Sequence, residues 1–100
     1  MDTPDINHVL KLYLGADANG GFQPIGCDAR LRSAFGGDYA RMIKLMSPYL
    51  AEDQPQDEWL SADTLSQTAD RFAEKLRQKF PELDAISIRS LANRQAFDYK

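Results

Sequence analysis

Apolar residues recur at helical spacing along most of the chain. The first segment places them at positions i, i+3, i+4, i+7 and i+8: Ile6, Val9, Leu10, Tyr13 and Leu14. This spacing is typical of the buried face of an amphipathic helix. Thr3 is a suitable N-cap, Pro4 suits the first helical position, and the Asp5 carboxylate would face the positive helix end. Because Gly15 can adopt the left-handed conformation that ends a helix, the pattern predicts a first helix up to that residue.

A second, shorter helix is predicted after the glycine-rich stretch GADANGGFQPIGCD. Asp28 is placed to cap it, and Leu31 and Phe35 would face the core. The double glycine at 36–37 is expected to break the helix, so that the next helix folds back on it.

A third helix is predicted to begin with Asp38 as its cap. Its apolar side chains again follow helical spacing: Tyr39, Met42, Ile43 and Met46. Because proline lacks a backbone N–H and clashes with the preceding turn, Pro48 is expected to end regular structure.

The longest helix is predicted to begin at Ser61, with Leu60 and Leu65 as a hydrophobic staple and Asp63 in the first turn. Its apolar face consists of five residues: Leu65, Ala69, Phe72, Leu76 and Phe80. Pro81 is expected to stop it.

Asp84 or Ser87 can cap a last helix, which would carry Ile88, Leu91, Ala92 and Gln95 on one face. The segment DAISI is an alternative short strand, because its isoleucines alternate. No other segment shows period-two alternation. We therefore predict an all-α fold, a compact bundle of four or five helices that spans residues 1–100 as a single domain.

Size and composition support a self-sufficient domain outside oxidising compartments. The chain has 100 residues, of which 43% are apolar and 27% charged, which is typical of globular proteins. Its only cysteine, Cys27, cannot form an intramolecular disulfide. The first residues lack the basic and apolar regions of a signal peptide, and Lys11 interrupts their apolar character. A cytoplasmic location without a membrane span is expected.

The glycine-rich loop only partly matches known ligand-binding loops. Asp17, Asn19 and Gly21 fit positions 1, 3 and 5 of a calcium loop, but Phe22 stands where the sixth position needs glycine, and Asp28 replaces the bidentate glutamate. No Gly-Lys-Ser/Thr follows the glycines, which excludes a Walker phosphate loop. We expect no metal and no cofactor at this loop.

The same loop is instead expected to be an ordered connection. Asn19 and the glycines tolerate positive φ, and proline fixes a further bend. Phe22 and Ile25 are predicted to tuck into the core and anchor the loop. Asp17, Asn19 and Gln23 would then face outward and be available to a partner.

A catalytic site is not expected. His8 is the only histidine and is predicted on the exposed side of the first helix. A nucleophilic pair of Cys27 with His8 remains open from the sequence, although only Arg30 near Cys27 would favour a thiolate. Cysteine is more often a buried apolar residue than a nucleophile.

The last helix suggests an alternative function, that of a nucleic-acid-binding regulator. Four of its side chains could read base edges: Arg89, Asn93, Arg94 and Gln95. A nucleic-acid-binding surface is normally basic. This chain has a net charge of −3 and an isoelectric point near 5.0, which disfavours that function.

The excess negative charge lies in one segment. Residues 51–70 contain six acidic residues and no lysine or arginine: Glu52, Asp53, Asp57, Glu58, Asp63 and Asp70. Glu52, Asp53, Asp57 and Glu58 precede the predicted helix cap, so the helix dipole does not explain them. With Trp59 beside them, they are predicted to form a docking surface for a basic protein, because complementary charge raises association rates and an aromatic side chain can anchor an interface.

In overall design, the chain resembles the immunity proteins of bacterial contact-dependent growth inhibition and related toxin systems. The stretches that carry the resemblance are LYLGADANGGFQPIG, the acidic AEDQPQDEW and the closing FPELDAISIRSLANRQAF. The resemblance implies a stoichiometric inhibitor that binds the toxin domain of its own system, commonly a nuclease, and blocks its active site. It transfers no residue roles, so the site residues named above rest on charge and predicted exposure.

Overall fold

A computed structural model describes residues 5–52 and 64–97. Within these ranges the chain forms five α-helices: α1 (Ile6–Leu14), α2 (Cys27–Phe35), α3 (Tyr39–Leu50), α4 (Leu65–Lys79) and α5 (Ala85–Phe97). A 3-10 turn at Gly36–Asp38 joins α2 to α3. The described ranges contain no strand, so the all-α prediction is confirmed and the alternative strand at DAISI is wrong.

The predicted apolar faces meet in one core. α1 contacts α2, α3 and α5, and α4 packs along α5. Every helix contributes buried apolar side chains to the core: Val9, Leu10, Leu14, Leu31, Met42, Met46, Ala69, Phe72, Ala73, Leu76, Leu83, Ile88, Leu91 and Ala92. The helical spacing in the sequence therefore identified most of the core; it missed Ala73 on α4 and Leu83 in the turn before α5.

The starts of α1 and α2 differ from the predictions. The N-cap of α1 is Asp5, whose side chain accepts a hydrogen bond from the backbone N–H of Asn7; the predicted cap, Thr3, lies outside the described residues. The predicted cap of α2, Asp28, sits instead in the first turn, and the N-cap is Gly26 in a left-handed conformation with φ 86°. At that position the acidic side chain still faces the positive helix end.

α3 begins after Asp38, as predicted, but its end differs. Asp38 is the N-cap residue, but its side chain makes no capping hydrogen bond, because a 3-10 turn leads directly into the helix. Pro48 does not end α3, which continues to Leu50. Pro48 removes the hydrogen bond that a backbone N–H would make to the Lys44 carbonyl, yet the helix continues for two residues beyond it.

Capping interactions set the ends of the last two helices. Thr64 caps α4 through a reciprocal pair of hydrogen bonds with Gln67, so this helix begins later than predicted; Ser61, the predicted start, lies outside the described residues. α4 ends at Lys79, before Pro81, as predicted. Asp84 caps α5, as predicted, by accepting a 2.8 Å hydrogen bond from the backbone N–H of Ser87.

A polar cluster joins the start of α5 to α1. The Asn7 side chain donates to the Glu82 carbonyl and accepts from the Asp84 backbone N–H at 2.7 Å. The Lys11 ammonium lies 2.8 Å from the Asp84 carboxylate. Partial burial opposes ionisation of Asp84, but the hydrogen bonds from Lys11 and Ser87 outweigh it and hold the pKa of Asp84 below its usual value. α5 is thereby held in a defined position against α1.

Replacing Phe72 or Leu76 by alanine is expected to lower the free energy of unfolding by about 2–5 kcal/mol, because each change leaves a cavity in the core. Urea denaturation measures the loss. Ser66→Ala, at an exposed position in the first turn of the same helix, is the control and should change stability by less than about 0.5 kcal/mol. Small effects at both Phe72 and Leu76 would mean that this face of α4 is not buried.

Candidate partner-binding surface

Arg30, on α2, organises the glycine-rich loop between α1 and α2. Its guanidinium donates hydrogen bonds to four backbone carbonyls: Leu12 at 3.0 Å, Tyr13 at 2.9 Å, Gln23 at 2.8 Å and Ile25 at 2.8 Å. The first two carbonyls belong to the last turn of α1, where carbonyl groups lack partners within the helix. One side chain therefore caps α1 and holds the far end of the loop.

Two glycines make this arrangement possible. Gly15 ends α1 with φ 65°, and a side chain there would lie 2.8 Å from the guanidinium of Arg30. Gly20 has φ 76°, and a Cβ atom on it would lie 2.6 Å from the Cβ atom of Arg89 on α5. The loop can therefore lie against both α2 and α5 only because these positions carry no side chain.

α5 holds the opposite side of the loop. The Ser90 hydroxyl donates to the Gly21 carbonyl at 2.8 Å, and the Asn93 amide donates to the Gly20 carbonyl at 2.8 Å. The ring of Phe22 packs edge-on against Phe97, with 5.8 Å between centroids. The prediction of an ordered loop anchored by a half-buried Phe22 is confirmed.

The polar loop residues proposed as partner contacts are exposed, as expected: Asp17, Asn19 and Gln23. One Asp17 carboxylate oxygen accepts hydrogen bonds from the backbone N–H groups of Gly21 at 2.9 Å and Asn19 at 2.8 Å. These bonds, that from Gly21 above all, lower the pKa of Asp17. Asp17 thus keeps its negative charge while it stabilises the turn.

The prediction that Ile25 tucks into the core is wrong. Its side chain is 87% exposed, the largest exposure of any large apolar residue in the described ranges. The backbone at this point curves around Arg30, whose guanidinium binds the Ile25 carbonyl. The side chain is therefore left on the outside of the bend.

Glu52, the first acidic residue of the acidic segment, forms ion pairs within the fold. Glu52 was expected to be exposed, but only 14% of its side chain is accessible, and its carboxylate lies 2.6 Å from Lys79 and 3.5 Å from Lys75 on α4. The hydrogen bond from Lys79 is the main cause of the lowered pKa of Glu52. The Gln95 amide also donates to the Glu52 carbonyl at 3.2 Å. The expectation of exposure is thus wrong for Glu52, because it pairs with lysines on α4 that the local sequence does not reveal.

Four further residues predicted at the surface lie outside the described residues: Asp53, Asp57, Glu58 and Trp59. Their assignment as partner contacts stays a prediction.

Arg94, near the end of α5, brings the loop close to the start of the acidic segment. Its guanidinium donates to the carbonyl of Leu50, the last residue of α3, at 3.4 Å. It also lines an open cleft of about 410 Å³ with residues from α1, the loop and α2: Tyr13, Phe22, Pro24, Gly26, Cys27, Asp28 and Ala29. Burial, helped by the negative charge of Asp28, raises the pKa of Tyr13. The loop and the end of α3 therefore flank the same end of α5.

The structure does not bring Cys27 and His8 together as a nucleophilic pair. The Cys27 thiol lies at the start of α2, 3.4 Å from the Gln23 carbonyl. The His8 ring stacks edge-on against Phe35, at the other end of α2. The nine residues of this helix span roughly 13 Å. Among the residues that the structure describes, no cluster of three or more His, Cys, Asp or Glu side chains is placed to bind a metal ion.

The side chains considered for reading nucleic acid are engaged within the fold. Arg89 pairs with Asp70 at 2.9 Å. Asn93 donates to the Gly20 carbonyl in the loop. Arg94 donates to the Leu50 carbonyl at the end of α3, and Gln95 donates to the Glu52 carbonyl. α5 therefore holds other segments in place with these side chains.

Arg30 is the residue of this surface that the sequence did not reveal, since it was considered only as a neighbour of Cys27. No sequence pattern marks an arginine whose partners are backbone carbonyls.

Comparison of the chain with known protein families, curated proteins and solved structures yields no match. None of the described helices is long and apolar enough to cross a membrane.

Arg30→Lys is expected to lower the free energy of unfolding by about 1–3 kcal/mol, because lysine keeps the charge but leaves several half-buried carbonyls without a donor. Urea denaturation measures this. Amide exchange at Gln23, whose N–H binds the Leu14 carbonyl at 2.9 Å, should become faster as the loop loosens. The control is Arg41→Lys, an exposed arginine paired only weakly with Asp38 at 3.4 Å. Equal effects of the two substitutions would refute the role given to Arg30.

Glu52→Gln is expected to make stability less dependent on pH. The pKa of Glu52 in the folded state lies below its ordinary value of 4.5, so its ionic contribution is fully present above that value and is lost as the pH falls through the lowered pKa. As the pH falls through and below the ordinary pKa of 4.5, the free energy of unfolding should fall more steeply for the natural protein than for the variant. Glu74→Gln, which alters an exposed pair with Arg77, is the control. Parallel curves for the natural protein and Glu52→Gln would contradict the pairing.

Proposed function

We propose that this protein binds a basic protein partner through the acidic segment after α3 and the adjoining glycine-rich loop, and that it is an immunity protein that inhibits a toxin. The observation that carries the proposal is the charge distribution. Residues 51–70 hold six acidic residues without a lysine or arginine, in a chain of net charge −3. Such a concentration attracts a basic surface over a distance of several ångströms.

In this proposal, fewer acidic residues supply the attraction than the sequence suggests. Glu52 is compensated by Lys75 and Lys79, so its role is to hold the start of the segment against α4. The attraction then rests on the three acidic residues that follow, Asp53, Asp57 and Glu58. Trp59 comes directly after them in the sequence and supplies the aromatic anchor that many protein interfaces use.

The position of the loop supports a surface made of two parts. Arg94 contacts the end of α3 and lines the cleft beside the loop. Asp17 and Asp28 add negative charge on the loop side, and neither has an ion-pair partner within the described ranges. A basic partner that approaches this end of α5 would meet these two carboxylates close to Glu52, where the acidic segment begins.

A nuclease toxin suits this chemistry. Active sites that bind nucleic acid carry positive charge because they hold phosphates. An acidic protein that covers such a site competes with the substrate for the same cations. The function is thus inhibition by occlusion, which needs no catalytic residue on the inhibitor.

The alternative function, a nucleic-acid-binding regulator that uses α5, gains no support. Its four candidate side chains already bind other parts of the fold, and the acidic segment would repel phosphates. No observation favours it over the inhibitor.

The proposal is tested by identifying the partner and measuring its binding rates. The tagged 100-residue chain is used to retain proteins from the cells that make it, and a retained basic protein is purified. Expressed alone in bacteria, the retained basic protein should arrest growth. Co-expression of the 100-residue chain should restore growth. Retention of no basic protein, or growth arrest that the chain does not relieve, would refute the proposal.

Replacing Asp53, Asp57 and Glu58 by lysine is expected to lower the association rate with that partner by roughly 10-fold or more at low salt. The dependence of the rate on salt should flatten or reverse, because the attraction is long-range and screened. Trp59→Ala should mainly raise the dissociation rate. Stopped-flow measurements at low and high salt separate the two effects.

The matched control makes the same change of charge outside the acidic segment, at the exposed residues Asp38, Glu74 and Glu82. If this control lowers the association rate as much as the variant of the acidic segment, net charge alone explains the effect. The segment would then have no specific role.

A further inference from the structure

The open cleft beside the glycine-rich loop has the size of a small-molecule site. Its volume is about 410 Å³, within the roughly 300–1,000 Å³ that such sites occupy. Four parts of the chain meet there: α1, the loop, the first turn of α2 and the end of α5. Three polar side chains of its wall carry groups that the fold leaves largely unused: Tyr13, Asp28 and Arg94.

The Tyr13 hydroxyl is a hydrogen-bond donor without a partner. The residue is half-buried, and within the described part of the chain only its backbone carbonyl is bound, by Arg30. Burial is the main cause of the raised pKa of Tyr13; the charge of Asp28 adds to it, and that of Arg94 opposes it. The hydroxyl therefore stays protonated at neutral pH, and both charges lie close enough to act on it. A ligand that accepts a hydrogen bond in the cleft would satisfy this donor.

Arg94 and Asp28 bring opposite charges to the cleft without neutralising each other. Neither forms an ion pair with any residue that the structure describes. The Arg94 guanidinium makes one long hydrogen bond, to the Leu50 carbonyl at 3.4 Å, so most of its five donors stay available. The cleft therefore offers a cation and an anion to a ligand that carries both charges.

Phe22 and Pro24 form an apolar part of the same wall. The Phe22 ring is already held in place by its edge-on contact with Phe97, 5.8 Å away between centroids. An apolar wall that is formed before binding, with a few polar groups that orient the ligand, is usual in small-molecule sites.

We propose that this cleft binds a free α-amino acid with an apolar side chain. Arg94 and the Tyr13 hydroxyl bind its carboxylate, and Asp28 binds its ammonium group. Phe22 and Pro24 contact its side chain. Asp28 would repel a simple anion and Arg94 a simple cation, so a zwitterion alone uses both charges. This site is separate from the proposed inhibition, because it needs neither the acidic segment nor a partner protein.

Calorimetric titration of the purified 100-residue chain with L-phenylalanine and L-leucine tests the inference. Saturable binding at one site is expected. Phenethylamine, which lacks the carboxylate, should bind about 10-fold more weakly than L-phenylalanine or worse. Hydrocinnamate, which lacks the ammonium group, should bind about 2- to 5-fold more weakly, since Asp28 is exposed. Saturable binding of neither amino acid, or equal affinity for phenethylamine and L-phenylalanine, would overturn the inference.

Tyr13→Phe removes only the hydroxyl and is expected to weaken the binding of L-phenylalanine by about 10-fold. The unfolding transition should not change, because this hydroxyl has no partner in the described fold. Tyr39→Phe on α3 is the matched control, since Tyr39 does not line the cleft, and should leave the affinity unchanged. Equal affinities of the two variants would contradict the site.

Asp28→Asn tests the recognition of the ammonium group. This variant should bind L-phenylalanine and hydrocinnamate with nearly equal affinity, because the carboxylate that distinguishes the two ligands is gone. A preference for L-phenylalanine that persisted in Asp28→Asn would overturn the assignment of a zwitterionic ligand. The proposed inhibition does not enter any of these measurements, so their outcome leaves it untouched.

Discussion

The candidate surface depends on the hydrogen bonds that the Arg30 guanidinium makes with backbone carbonyls. No carboxylate among the described residues neutralises this cation; the partial negative charge at the carboxyl end of α1 does so instead. Because the same group also binds the Gln23 and Ile25 carbonyls, the end of one helix and the far end of the loop share one donor. The course of the loop beside α2 and the need for glycine at position 15 follow from this contact.

α5 is the second organising element. Its buried side includes polar groups, Ser87, Ser90 and Gln95, as well as apolar ones. Ser90 binds the glycine-rich loop, and Gln95 binds the carbonyl of Glu52. α5 therefore acts as a scaffold that brings two distant segments to one end of the bundle. Side chains that resemble a base-reading set in the sequence have this structural role.

The proposed surface separates two physical tasks. Carboxylates act over a distance of about one Debye length, roughly 8 Å at physiological ionic strength, and so influence encounter. An apolar side chain contributes only when water is excluded, and so influences the lifetime of the complex. Glu52 belongs to neither group, because its charge is compensated by Lys75 and Lys79. Its contribution is to stability, where it holds the start of the acidic segment against α4.

The sequence by itself determined the fold class and the core, because helical spacing of apolar residues reports directly on which face is buried; Phe72 and Leu76 are examples. It also identified local features such as the Asp84 cap. It placed Pro48 wrongly as the end of α3, which continues to Leu50. Tertiary structure alone decided the roles of Arg30, Glu52 and Ile25. Arg30 binds the Leu12 carbonyl, 18 residues away in sequence, and Glu52 binds Lys79, 27 residues away. Ile25 is exposed where the backbone bends around Arg30. Burial and charge at these positions therefore depend on chain segments that meet only when the helices pack.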